Sequence, residues 1–165
     1  MQRSLPVLIA LVLLFSTVGW SADLEKGKEA YEKEDYETAL RELKPLAEKG
    51  HAAAQYYLGR IYHNGYGVPQ NYRTAVKWYR LAAEKGYISA QYLLGIMYEE
   101  GKGVPRDNVY AHMWYNVCAS QGSGYGVHNR EVIQGKMTPS EIEKAQDLSD
   151  ECVEKKYKGC GRPKR

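Results

Sequence analysis

Phenylalanine is almost missing from this 165-residue chain, which has one, Phe15, against 15 tyrosines. Tyrosine packs with its ring while keeping a hydroxyl at the edge, as a thin, mostly surface architecture requires. A strong charge of one sign is lacking too: 23 basic residues face 20 acidic ones, and a formal +3 is too mild to argue for nucleic acid. No Asn-x-Ser/Thr sequon occurs, which weighs against a eukaryotic secretory glycoprotein. Ser-x-x-Lys, Ser-Asp-Asn and Lys-Thr-Gly are all absent, which excludes the common acyl-transfer constellations. The four histidines, His51, His63, His112 and His128, show none of the spacings that would set two metal ligands on one helix face. They are expected at helix surfaces, and neither a metal nor a cofactor is predicted. What remains, 44% hydrophobic residues in a chain of this length, suffices for one ordinary domain with a buried core.

The first 22 residues read apart from the rest. Arg3 gives a basic start, Leu5 to Val18 is an apolar run without a charge, and Gly19-Trp20-Ser21-Ala22 supplies small residues before Asp23 and Glu25. The run is shorter than the ~20 apolar residues of a spanning helix. The pattern predicts a signal peptide over 1–22, cut after Ser21 or after Ala22, and a periplasmic or secreted bacterial protein.

The organising feature is a duplication. His51–Gly86 and Tyr87–Gly122 match at 15 of 36 positions, where unrelated segments would share roughly two. In the first copy Ala54, Leu58 and Tyr62 recur at helical spacing, with Gly59 beside them to let a neighbouring helix approach. Gly65 and Gly67 end that helix in a sharp turn, and Val68, held extended by Pro69, tucks beneath it. Asn71, like Asp107 in the next copy, caps a second helix whose core stripe is Ala75, Trp78, Tyr79, Ala82 and Ala83. The stretch from Gly95 to Lys102 does not make a phosphate loop, since five residues separate its glycines and Gly103 follows where Ser or Thr is needed; its glycines are expected to serve turns. Residues 23–50 form a third, divergent copy with a shorter turn at Glu34-Asp35, and Pro45 predicts a kink or a broken turn in its second helix.

After Gly122 the repeat decays. Tyr125 to Gln134 stands in for a first helix, and Thr138-Pro139-Ser140-Glu141 starts a final one with Ile142, Ala145, Leu148, Ser149 and Cys152 on its buried stripe, ending near Tyr157 to Gly159. This segment, 123–157, reads as a degenerate repeat and capping helix, and 158–165 as a basic tail. Cys152 and Cys160 lie eight apart and would pair in an oxidising compartment. Cys118 stands where the preceding copy has Ala82 and reads as a buried, inert thiol.

The run Ala-Gln-Tyr-Tyr-Leu-Gly-Arg-Ile-Tyr-His-Asn-Gly-Tyr-Gly-Val-Pro-Gln-Asn from Ala54, followed by Ala75, Trp78-Tyr79 and Ala82 to Gly86, is similar to the Sel-1-like repeat, a branch of the tetratricopeptide superfamily. The resemblance covers 51–86 and 87–122 strongly and 23–50 partly. It implies an all-α fold, a right-handed α-solenoid of antiparallel helix pairs with a C-terminal capping helix. It also implies a non-catalytic adaptor that holds a protein or peptide partner in its concave groove. By analogy with tetratricopeptide packing, the groove residues are Tyr56, Arg60 and His63 in one copy and Tyr92, Ile96 and Glu99 in the next. A cysteine-rich subgroup of the family is associated with penicillin binding and β-lactam hydrolysis. The rival expectation is therefore a β-lactam- or peptidoglycan-binding envelope protein or a β-lactamase-like enzyme of that subgroup, although this chain has one cysteine pair and not one per repeat. The tail from Lys155 to Arg165, with six cations in eleven residues, could add weak contact with an anionic envelope surface.

Overall fold

Residues 24–161 are described by the computed structural model. The expected signal segment and the last four residues of the basic tail lie outside that span. The described residues form eight helices and no strand, in an all-α solenoid of helical repeats. They are α1 (24–32), α2 (Tyr36–Glu48), α3 (Ala52–Asn64), α4 (Tyr72–Ala83), α5 (Ile88–Glu100), α6 (Asn108–Ala119), α7 (Gly124–Gln134) and α8 (Pro139–Glu154).

The turn chemistry sets the helix ends. Gly65 and Gly101 adopt left-handed φ of 74° and 70°, and their amides return to Ile61 and Met97. An alanine there would be strained. Asn71 then accepts from the Thr74 amide at 2.9 Å, and Asp107 from Val109 at 2.9 Å and Tyr110 at 3.1 Å, which satisfies amides that the helix itself leaves open. Thr138 and Glu141 cap α8 reciprocally.

Packing between the two helices of a repeat rests on a missing side chain. A Cβ on Gly59 would lie 2.4 Å from the Tyr79 ring, and one on Gly95 the same distance from the Tyr115 ring. Both rings are enclosed, and both glycines are what permits it. Successive repeats are joined by Gln55 and Gln91, buried side chains whose Nε2 atoms donate to the Ala47 and Ala83 carbonyls at 3.0 and 3.2 Å. Each adds a second donor to a carbonyl near the end of the preceding helix, which also accepts from the Gly50 or Gly86 amide at 2.9 Å.

Three local expectations change. Helix α2 runs unbroken through Pro45. That residue is exposed one turn from the helix end, so the Arg41 carbonyl it leaves without an amide donor also lies on the solvent side. Trp78 is only half-buried and Val76 takes its place in the core, whereas its counterpart Trp114 is fully enclosed. Helix α8 ends at Glu154, earlier than expected, and turns occupy 155–161.

These turns explain Trp114. Both α7 and α8 pack on α6 rather than on each other as α3 and α4 do. Beyond α8 the chain doubles back, with Tyr157 against Gly86, the Cys152–Cys160 disulfide spanning a Cα separation of 5.4 Å, and Gly161 lying on the Trp114 indole. The Gly161 carbonyl accepts from the Tyr98 hydroxyl at 2.6 Å, and the same hydroxyl accepts from Arg80 at 3.1 Å. The return is therefore anchored on α5, with α4 behind it.

Candidate interaction face

The first helices of the repeats, α1, α3, α5 and α7, touch one another through aromatic and polar side chains. Tyr31 of α1 meets Tyr57 of α3 edge-on at 5.1 Å. Arg60 of α3 sits over the Tyr31 ring at 5.2 Å and the Tyr56 ring at 5.9 Å. Tyr56 continues to Tyr87 at the start of α5, 4.9 Å between centroids. Tyr92 of α5 meets Tyr125 of α7 at 5.9 Å, and its hydroxyl accepts from Asn129 at 3.0 Å. These contacts put the first helices side by side along one face.

All six residues expected in the groove, Tyr56, Arg60, His63, Tyr92, Ile96 and Glu99, are half-buried on these helices. They have different tasks. His63 Nδ1 lies 3.3 Å from the Tyr79 hydroxyl, and Glu99 accepts from the Tyr115 hydroxyl at 2.8 Å. Position 99 aligns with 63 and Tyr115 with Tyr79, so in both copies this residue gives an enclosed phenol its hydrogen-bond partner. Burial raises the pKa of both phenols, with the Glu99 carboxylate adding to it at Tyr115. Burial lowers the His63 pKa, with a further push from the positive charge of Lys102. Glu99 is also ion-paired to Lys136 at 3.0 Å. A shallow depression of about 640 Å³ lies between α5 and α7, bounded by Ile96, Glu99, Lys102, Arg106, Tyr115 and Asn129. Ile96 and Glu99 therefore share one hollow, and Arg60 and His63 belong to a separate, tyrosine-walled patch.

His112 is not at a surface. It is fully buried, because it occupies the position of the core residue Val76 in the preceding copy. Gln134 Nε2 donates to its Nε2 at 2.8 Å, and its Nδ1 has no partner. Burial, with the charge of Arg130 adding to it, pulls its pKa down to about 4. Cys118 is buried as expected, its thiol donating to the Tyr115 carbonyl at 3.2 Å, and burial pushes its pKa up to about 11. Among the described residues no three His, Cys, Asp or Glu side chains converge on a common point, and no helix is long and apolar enough to cross a membrane.

Comparison with protein families matches the Sel1 repeat twice, at residues 52–87 and 88–123. The chain belongs to the Sel1-repeat family. Among solved structures it is similar to a protective antigen of uropathogenic Escherichia coli strains displaying an SLR fold. The identity is 29% over 88% of this chain and 34% of the antigen, with a TM-score of 0.79. It is also similar to a Sel1 repeat protein from Oxalobacter formigenes, 34% identical over 65% of this chain and 44% of the other, with a TM-score of 0.63. The chain thus spans less than half the length of either relative. Comparison with curated proteins gives no match. Sel1-repeat proteins generally mediate protein–protein interactions and are typically non-catalytic.

Within the Sel1 repeats, two structural roles escape a reading of one copy alone. Gln55 and Gln91 are identical in both copies because each joins its repeat to the one before. Glu99 and His63 differ in chemistry yet serve the same phenol position. The repeat alignment marks both pairs, the first as an identity and the second as a difference.

Proposed function

We propose that the chain is a non-catalytic interaction scaffold of the bacterial cell envelope, taking a protein or peptide partner along the face formed by α1, α3, α5 and α7. The observation that carries the reading is the contrast between the copies on that face. Arg60 and Ile96 occupy equivalent positions and differ completely in chemistry, whereas the turn glycines, the close-approach glycines and the linking glutamines that build the array are identical in both copies. Tyrosine-rich walls with a few charged residues are the composition that anchors interfaces. An envelope location is supported by the disulfide, which belongs to an oxidising compartment, and by the signal-like first 22 residues. The basic end adds weak attraction to anionic envelope surfaces.

The test is a photo-crosslinking amino acid placed at Ile96 and, as a control, at the exposed Lys77 on α4, in cells that produce the protein. A partner captured from Ile96 and not from Lys77 supports the reading. Equal capture from both sites, or capture from Lys77 alone, refutes the placement.

A further inference from the structure

Arg60 is an arginine with its charge unanswered. Its guanidinium is half-buried over two tyrosine rings, and among the described residues no carboxylate lies within ion-pair distance of it. Three other charges on this face are ion-paired: Glu99 to Lys136, Lys102 to Glu100 at 2.8 Å, and Lys28 to Glu25 at 2.9 Å. The wall beside Arg60 is incomplete as well. Tyr31, 9% exposed, has a hydroxyl without a hydrogen-bond partner. Around it, His63 and Lys102 add neutral or positive character, and the carboxylates Glu32, Glu34 and Glu100 lie near the same patch without reaching ion-pair distance of the guanidinium. A partly desolvated guanidinium held beside two aromatic rings, with one hydrogen bond to Tyr56, keeps further donors of its planar fork available, and a carboxylate fits that fork.

We propose that Arg60 is the anchor of the interaction face, and that the partner segment docking there presents a carboxylate, from Asp, Glu or a chain terminus, to its guanidinium. This rests on the scaffold reading above and names the partner chemistry it leaves open. The tyrosines hold the guanidinium in place before binding, so little side-chain freedom is lost on docking. Because the equivalent position of the next repeat is Ile96, the anion site occurs once in the two full repeats. A bound segment is thereby fixed in register: its acidic residue sits at α3, and the rest of it lies toward the Ile96 hollow. Two equivalent arginines would instead allow a slip of one repeat.

The test uses random twelve-residue peptides displayed on phage and selected on the full chain, followed by synthesis of the enriched sequences. An acidic residue at a recurring position is expected. Replacing it by its amide (Glu→Gln or Asp→Asn) on the wild-type protein, and Arg60→Met on the protein with the original peptide, should each weaken binding about tenfold or more. The two changes together should cost little beyond either alone, since they remove the same contact. Arg60→Lys should retain part of the affinity. The amide peptide needs no altered protein, so it decides the matter even if an Arg60 variant folds poorly. Enriched peptides without an acidic preference, or acidic peptides indifferent to Arg60→Met, overturn the anchor while leaving a peptide-binding face. Failure to enrich any peptide over blank phage overturns both the anchor and the peptide-binding reading.

Discussion

Replacing Gly59 with alanine sets two effects of opposite sign against each other. Alanine is the better helix former, and in the middle of α3 it would stabilise by about 1 kcal/mol if nothing stood in its way. The Tyr79 ring stands in its way: the new methyl would lie 2.4 Å from both Cδ1 and Cε1, where ordinary contact begins at about 3.4 Å. The ring is 1% exposed, so it has no solvent to retreat into, and its hydroxyl is tied to His63. Relief requires α3 and α4 to separate or the ring to leave its hydrogen bond. Overpacking of this kind costs about 1–3 kcal/mol, and so severe an overlap belongs at the upper end. The net expectation is destabilisation by about 2 kcal/mol, a fall in Tm of about 4–8 °C for a chain of this size. Thermal unfolding followed by circular dichroism measures it, with Gly95→Ala against Tyr115 as an independent repeat. In a Tyr79→Leu background the smaller side chain leaves room, and Gly59→Ala should there be neutral or stabilising. A rise in Tm for Gly59→Ala in the native background, or the same loss in both backgrounds, refutes close approach as the reason for the glycine.

Stability should also follow the protonation of His112. Its folded-state pKa of about 4 lies below the unfolded value of about 6.5, so the unfolded chain binds the proton more readily. The contribution is complete above pH 6.5 and is lost as pH falls from 6.5 toward 4, by about 3 kcal/mol in all; urea midpoints across that window should fall with a slope that His112→Gln flattens, and an unchanged slope would sink the assignment. Thiol titration of the denatured, unreduced protein should count one thiol, Cys118, and three would rule out the bridge; reduction should cost about 2–3 kcal/mol and shift Trp fluorescence to the red as the cover over Trp114 loosens. Glu99→Ala should lower stability by about 1–3 kcal/mol because it strips the partner from the enclosed Tyr115 hydroxyl, whereas Arg60→Met should leave Tm within about 2 °C. Equal thermal effects of the two would erase the distinction between structural and interacting residues on this face.

How much of this was legible in the sequence depended on whether a contact repeats. The helix-ending glycines, the Asn71 and Asp107 caps and the close approach at Gly59 appear twice, and comparison of the two copies exposes them. The burial of His112 was legible in principle, since it aligns with a valine, but histidine spacing alone pointed to the surface. Val76 was the better guide. The path of 155–161 carries no periodic signal: Tyr98 and Gly161 are 63 residues apart, and nothing in either neighbourhood names the other. The unbroken helix at Pro45 depended on which side of α2 faces water, which the proline itself does not disclose. On the interaction face, the tetratricopeptide analogy selected surface-leaning positions without separating His63 and Glu99, which complete buried tyrosines, from Arg60 and Ile96, which do not.

In an open-ended array each unit senses only its neighbours, and units can be added or lost at an end with small consequence. The return of Gly161 to Tyr98 and Trp114 breaks that independence by fixing how many helices lie between α8 and its acceptor. The segment from Cys152 to Gly161 reaches from α8 over α6 to α5 and to Gly86 in the turn between α4 and α5. An extra repeat inserted between α6 and α7 would carry the closing segment past its acceptor and leave a tyrosine hydroxyl and an indole uncovered. Deleting one would bring it onto a different helix. The returning segment thus acts as a gauge of the helices it spans, and its loosening must release a contact in the interior of the array.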